Sequence, residues 1–285
     1  MYIDTHCHLT FPELQARWPE IQQAMAAAQV TRAIAICTTI EEFDTVHALA
    51  AAHPQLWCTV GVHPDNEDVH EPDVAELVAL GGRDKVVAVG ECGLDYYRLG
   101  TRTVADMGWQ RERLRVHVRA ARALGKPLVI HTRSSSADTL AVLQEEGADA
   151  VGGVFHCFTE TAEVARGALA MGFHISFSGI LTFKNAVELR EVAREVPLER
   201  CLIETDSPYL APAPHRGKLN TPALVPLVAA ELARIKGLDV EEVARVTGDN
   251  ATRLFGLASA GRPAQPSSAP GAHPVPLLSP SDAHK

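Results

Sequence analysis

Six side chains in this sequence have the types and spacing of a divalent-metal site: His6, His8, Glu91, His131, His156 and Asp206. The first pair comes from Asp4-Thr5-His6-Cys7-His8, where an apolar start runs straight into Asp-x-His-x-His. Side chains alternate faces along a strand, so Asp4, His6 and His8 share one side while Thr5 and Cys7 take the other. Two neutral imidazoles two residues apart on one face suit an ion of the zinc, manganese or iron type. A surface strand that happens to carry two histidines is the plainer account of that motif alone. Against it, Glu91, His131, His156 and Asp206 each stand at the end of another short strand-like run. Four imidazoles and two carboxylates exceed the needs of one tetrahedral ion. They suit two ions bridged by a carboxylate, about 3.5–4 Å apart.

The elements that must position these groups read as a repeat. After the opening strand, strand-like runs fall at residues 32–37, 56–62, 85–90, 127–130, 150–155, 173–178 and 201–205. Helical patterns fall between and after them, at 19–29, 41–53, 73–80, 106–124, 137–146, 162–171, 186–195, 222–235 and 240–255. Gly125 suits a helix C-terminus, Thr221 a helix cap, and Asp239 with Glu242 has capping-box spacing. Strands each followed by a helix describe an α/β fold, a (β/α)8 TIM barrel of about 250 residues. A doubly wound open sheet is the runner-up, but no Gly-x-Gly-x-x-Gly turn follows any strand. In such a barrel catalytic groups collect at the carboxyl ends of the strands. Strands one, four, five, six and eight would therefore bring the six residues to one mouth.

Of 285 residues, 46% are hydrophobic and 21% charged, an ordinary globular balance. Lys plus Arg number 26 against 35 Asp plus Glu, and the net charge of −9 argues against whole-surface binding of nucleic acid or anionic membrane. A local basic rim is still allowed. No apolar run approaches the ~20 residues of a membrane helix, and no signal-peptide layout opens the chain. The expectation is a cytoplasmic protein with no membrane association and no obligate protein partner. Cys7, Cys37, Cys58, Cys92, Cys157 and Cys201 are dispersed without a Cys-x-x-Cys pair, which predicts free thiols in a reducing compartment. Period-2 alternation turns Cys7, Cys92 and Cys157 away from the metal side. Residues 258–285 are rich in Pro, Ala, Ser and Gly and read as a flexible tail beyond a single domain at 1–257.

The motifs also carry a resemblance. Asp4-Thr5-His6-Cys7-His8, Gly61-Val62-His63-Pro64, Gly90-Glu91-Cys92-Gly93-Leu94-Asp95, His131-Thr132-Arg133, His156-Cys157-Phe158 and Glu204-Thr205-Asp206-Ser207-Pro208 occur in order. With Arg216-Gly217-Lys218 and Asn250-x-x-Arg253-Leu254-Phe255, this set resembles the TatD family of metal-dependent deoxyribonucleases over residues 1–257. The resemblance implies two divalent ions (Mg, Mn or Zn) with Glu91 between them. One ion would take His6, His8, Glu91 and Asp206, the other Glu91, His131 and His156. It implies DNA as substrate, single-stranded or at 3′ ends, cut by a 3′–5′ exonuclease in which Glu91 and Asp206 are catalytic. Two departures from the family pattern, Glu160 after His-x-Phe-Thr and Ser135-Ser136 after His131-x-Arg, bear on the substrate groove rather than on the ligands.

Around the cluster, His63 is expected to meet a phosphate or support a ligand, and Glu204 to support one. Arg133 shares a face with His131 and has the fork that matches two phosphate oxygens. Arg98, His215, Arg216 and Lys218 fall in loops above the mouth and would add positive charge. Arg216 and Lys218 read equally well as solvated loop charges. Tyr96, Tyr97, Phe158 and Tyr209 follow the ligand motifs and could stack unpaired bases, although packing is the expected role of at least two. His47, His53, His117, His174, His273 and His284 belong to no constellation. Two other functions fit a barrel with this cluster: hydrolysis of a small amide or lactone, and metal-dependent binding without turnover. Related amide and lactone hydrolases often bridge their ions with a carboxylated lysine from strand four, and Glu91 in that place favours the nuclease.

Overall fold

Short apolar segments pair side by side in the order in which they occur. The structure, a computed structural model, describes residues 1–257; the expected tail at 258–285 lies outside the described residues. The strands are β1 (Tyr2–Cys7), β2 (Val30–Ala35), β3 (Leu56–Val60), β4 (Val86–Asp95), β5 (Leu128–Arg133), β6 (Gly153–Phe155), β7 (His174–Phe177) and β8 (Cys201–Ile203). They form one 8-stranded sheet in sequence order, every pair parallel. Parallel pairing requires crossovers, and helices supply them: α1 (Pro12–Gln15), α2 (Trp18–Ala27), α3 (Phe43–Ala52), α4 (Val74–Gly81), α5 (Gly108–Leu124), α6 (Ser136–Glu145), α7 (Ala162–Ala170), α8 (Val187–Glu195), α9 (Val225–Lys236) and α10 (Val240–Phe255). A bridge between Cys7 and Ser207 draws the last strand back to the first, with Asp206 N–H donating to His6 O at 2.9 Å. The result is the (β/α)8 barrel expected from the repeat.

Alternation separates two apolar layers. Ala33, Ala35, Cys58 and Ile130 pack outward under the helices. Ile3, Ile34, Ile36, Trp57, Ala88, Val129, Val154 and Leu202 face inward and fill the lower barrel, closed by Ala251, Phe255 and Leu257. Each fully buried Val, Leu, Ile or Phe in these layers contributes about 1.5–3 kcal/mol. With one end plugged by apolar side chains, the polar residues of the later strand positions occupy the other end.

Two irregularities decide what points inward there. Strict alternation from Ile3 would put Thr5 and Cys7 inside, but the β1–β2 register shifts between Asp4 and Cys7. Cys7 therefore joins the outer core and His6 the interior. In β4 the register against β5 shifts between Val89 and Cys92, and the strand runs on to Asp95 rather than stopping at Gly90. A one-residue bulge flips every later side chain to the opposite face, so Glu91 points inward. Glycine makes the extension possible: a Cβ on Gly93, at φ +150°, would lie 1.8 Å from His131 O. Glu91 is thus inside a long strand, not at the end of a short one.

Other departures are local. The helix expected at 106–124 starts as a 3-10 turn, Val104–Met107, held by a capping box between Thr103 and Asp106, before α5 proper ends at a left-handed Gly125. The helix expected at 222–235 also opens with a 3-10 turn, Pro222–Leu224, because Pro226 has no N–H to return to Pro222 O. Neither Thr221 nor Asp239 makes a side-chain cap. No helix among the described residues is long and apolar enough to cross a membrane.

Candidate metal centre

The inward positions of β1, β4 and β5, with the residues just beyond β6 and β8, meet at one point. Glu91 lies at its centre, buried, with its two oxygens turned to different neighbours. Oε2 is 3.2 Å from His6 Nε2 and 3.9 Å from His8 Nε2. Oε1 is 2.7 Å from His156 Nε2, 3.2 Å from His131 Nδ1 and 3.3 Å from His63 Nε2. Asp206 Oδ1 completes the first side at 3.3 Å from His8 Nε2 and 3.6 Å from His6 Nε2. The six residues expected to ligate metal are therefore joined in one cluster, in which distance groups His6 with His8 and Glu91 and also with His156 and Asp206.

The donor chemistry fits divalent cations. His6 Nε2 and His8 Nε2 stand 3.3 Å apart, and buried Glu91 Oε2 and His156 Nε2 have no hydrogen-bond partner among the described residues. Ring nitrogens and carboxylate oxygens crowded this closely in a dry interior are costly unless positive charge, protons on the rings or a metal ion, lies among them. Burial would raise the pKa of Glu91, but His156, His63 and His6 outweigh it and hold the carboxyl well below its usual range. Asp206 is likewise held low, burial being outweighed by the hydrogen bond from His8. Both carboxylates are anionic at neutral pH.

Hydrogen bonds on the far side of each ring set the tautomers. His131 Nε2–H donates to Asp95 Oδ2 at 3.0 Å, and His156 Nδ1–H donates to Glu204 Oε1 at 3.3 Å. Burial would lower both pKa values, but Asp95 and Glu91 outweigh it at His131 and Glu91 and Glu204 at His156, so both are raised and the inner nitrogen of each ring favours a proton that a metal ion would displace. A carboxylate behind an imidazole fixes the ring and raises its basicity as a ligand. Glu204 also accepts the Cys157 N–H at 2.7 Å. His63 is the opposite case. Its Nδ1 accepts the Asp65 N–H at 3.0 Å, and burial lowers its pKa, so the neutral ring carries its proton on Nε2. Distance groups His63 with Glu91 and His131 as possible metal donors. The tautomer makes it a hydrogen-bond donor instead.

Asp95 closes the Gly90-Glu91-Cys92-Gly93-Leu94-Asp95 motif, and pattern alone gives it no role, because its partner His131 is visible only once β4 extends beside β5. Asp4, expected on the metal face, instead ties β1 to the segment after β8: its carboxylate accepts Thr205 N–H at 2.9 Å and Thr205 Oγ1–H at 2.6 Å. Burial pushes its pKa up to about 8. Cys157 corrects another expectation. It stands at φ +43° and lines the cavity rather than turning away, whereas Cys7 and Cys92 are buried as packing residues. All six cysteines are free.

Above the cluster opens a cavity of about 730 Å³. Its walls differ: Phe11, Ile180, Tyr209 and Leu210 are apolar, while Arg98 and Arg133 bring positive charge opposite. The Arg133 guanidinium lies 3.6 Å from the centre of the Tyr97 ring. Arg216 stacks on Phe183 at 3.5 Å, and neither it nor Lys218 belongs to the lining. Of the four aromatics, Tyr96 and Phe158 are buried, and Tyr96 Oη–H donates to Asp138; Tyr97 and Tyr209 are more than half exposed. The two departures from the family pattern lie beside each other, Glu160 next to Ser134 and Ser136, and burial pushes its carboxyl pKa up.

A parallel (β/α)8 barrel with imidazoles and carboxylates gathered at its mouth is the architecture of metal-dependent hydrolases. Residues 3–256 match the family model described as TatD related DNase, and the chain belongs to the TatD family of metal-dependent hydrolases. It is 46% identical over 257 residues to a protein of Escherichia coli K12 named uncharacterized metal-dependent hydrolase YcfH, covering 89% of this chain and 95% of that one. It is 34% identical over 235 residues to the 3′-5′ ssDNA/RNA exonuclease TatD of Cronobacter sakazakii, covering 80% of this chain and 88% of that one. Among solved structures, YJJV, a TatD homolog from Escherichia coli K12, superposes with a TM-score of 0.81 at 27% identity, covering 90% of this chain and 98% of that one.

Proposed function

We propose that this chain is a deoxyribonuclease that removes nucleotides from 3′ ends of single-stranded or frayed DNA, with two divalent ions sharing Glu91. The observation that carries the reading is the division of one carboxylate, Oε2 toward His6 and Oε1 toward His131 and His156. The proposed ligands of one ion are His6, His8, Glu91 and Asp206, and of the other Glu91, His131 and His156. Bound there, divalent ions supply Lewis-acid polarisation of a phosphoryl oxygen and make water a usable nucleophile at neutral pH.

The chain's own residues do the rest. Asp206, ionised and less than fully buried at the cavity floor, accepts the proton of the attacking water as general base. His63 offers its Nε2–H to a non-bridging phosphate oxygen. Arg133, held flat on Tyr97, presents two parallel N–H donors to the same anion. Arg98 extends this positive wall, and Arg216 and Lys218, outside the lining, would serve as contacts for a longer strand. Tyr209, set edge-on to Phe11 and more than half exposed, offers a ring on which an unpaired base can stack. Two divalent cations against Glu91 and Asp206 leave a formal surplus of two positive charges, which favours a phosphodiester over a neutral amide or lactone. The direction and single-strandedness are supported by the similarity to the 3′-5′ ssDNA/RNA exonuclease of Cronobacter sakazakii.

The test uses oligonucleotides labelled at the 5′ end, with and without a 3′ block, beside a neutral lactone. The reading expects a ladder shortening from the free 3′ end, little cleavage of the blocked strand and none of the lactone. Faster lactone turnover than DNA cleavage would replace it with the amide or lactone hydrolase.

A further inference from the structure

The loop that follows β3 has no regular structure to satisfy its backbone, and one face of α5 does so instead. Gln110, Arg113 and His117 are spaced i, i+3, i+7 and form one stripe on that helix. All three are buried. His117 Nε2 accepts the Val62 N–H at 3.0 Å. Arg113 Nη1 donates to His63 O at 2.9 Å and to Asn66 O at 2.8 Å, while its other nitrogens pair with Glu71. Gln110 Nε2–H donates to Pro64 O at 2.9 Å, and its Oε1 accepts the Asp95 N–H at 2.9 Å. Four backbone groups around His63 and the amide of the carboxylate behind His131 thus hang on three side chains of one helix.

We propose that this buried polar face of α5 is a positioning element for the His63 and Asp95–His131 side of the centre, and that it sets the affinity of the second ion separately from the first. The inference rests on the two-ion reading above. The other side is held differently: His6 and His8 ride on β1, which Asp4 ties to Thr205, and α5 makes none of those contacts. Gln110 is the pivotal residue because one amide joins the two segments. Removing it leaves the buried Asp95 N–H and Pro64 O without partners, frees Asp95 to shift, and loosens the ring that Asp95 orients. Outer-sphere supports of metal-bound histidines set affinity by about 10–100-fold, and Gln110, one contact farther out, belongs at the lower end.

The experiment is calorimetric titration of the chelated, full-length protein with Mn²⁺, comparing the two binding equivalents. Gln110→Met keeps the volume and removes both hydrogen bonds. Asn250→Ala removes a buried amide that bonds Leu198 O and Cys201 O elsewhere in the fold, and serves as the control for general destabilisation. The expected result is a second equivalent weakened about tenfold in Gln110→Met, a first equivalent unchanged within twofold, and neither moved in Asn250→Ala. Arg113→Lys, which keeps the charge without the fork, is the milder variant and should shift the same ratio by a smaller factor. Equal weakening of both equivalents, or the same change in Asn250→Ala, overturns the positioning role. A wild-type isotherm with a single equivalent overturns the two-ion reading instead.

Discussion

Acid should destabilise this barrel through His117, and the size of the effect follows from the site of the ring. His117 is fully buried, its Nδ1–H donating to Arg113 O at 2.8 Å and its Nε2 accepting Val62 N–H at 3.0 Å. Both nitrogens are satisfied only in the neutral form, because a proton on Nε2 would face another N–H. Burial pushes its pKa down from 6.5 to about 4. As the pH falls through the higher value the unfolded chain takes up a proton that the folded chain refuses until about 4. Stability present above pH 6.5 is therefore lost progressively down to that lower value. At pH 5 the gap is about 1.5 pH units at ~1.36 kcal/mol each, a loss of about 2 kcal/mol. His174 is lowered to about 4 as well, by burial, so wild-type curves alone would mix the two. His117→Gln keeps an acceptor for Val62 and does not titrate. Urea melts of both proteins at pH 7 and pH 5 give a double difference that isolates the ring. The expected value is about 2 kcal/mol less acid loss in the variant. A double difference near zero would refute the buried neutral imidazole, and with it the claim that α5 holds the β3 loop through it.

Two further outcomes follow from the centre itself. Asp206→Asn keeps an oxygen toward His8 but not the base, so turnover should fall about 100-fold or more while bound metal falls far less; a proportional fall, read by metal analysis beside kinetics, would leave ligation as its sole role. Arg133→Lys should cost about 1–3 kcal/mol of transition-state stabilisation on an oligonucleotide, on the scale of charged hydrogen bonds, and an unchanged kcat/KM would remove the phosphate clamp from the account.

The barrel and the convergence of the six residues at its mouth are legible because they depend on local pattern. Apolar runs at regular spacing define the strands, and a titratable residue beside each run marks the mouth. What escaped depended on partners distant in sequence. Gly90 reads as the end of β4, yet it and Gly93 are glycine because β5 passes too close for a side chain, and the strand continues. Asp95 acquires its role only from that continuation. Cys157 follows the expected alternation until its left-handed backbone turns it into the cavity. The stripe of Gln110, Arg113 and His117 has the periodicity of a solvent-facing surface. Its burial comes from an irregular loop, whose unsatisfied backbone groups leave no trace in a pattern of side chains.

The central claim is a pair of ions joined by Glu91, and the most direct measurement is turnover of a short single-stranded oligonucleotide as Mn²⁺ is returned to chelated protein. Turnover should be absent in the metal-free protein, stay low through the first equivalent and rise with the second. Glu91→Gln should bind less metal and show no turnover while its melting transition persists. Normal turnover in a rigorously metal-free sample, or full turnover at one equivalent, would contradict the account.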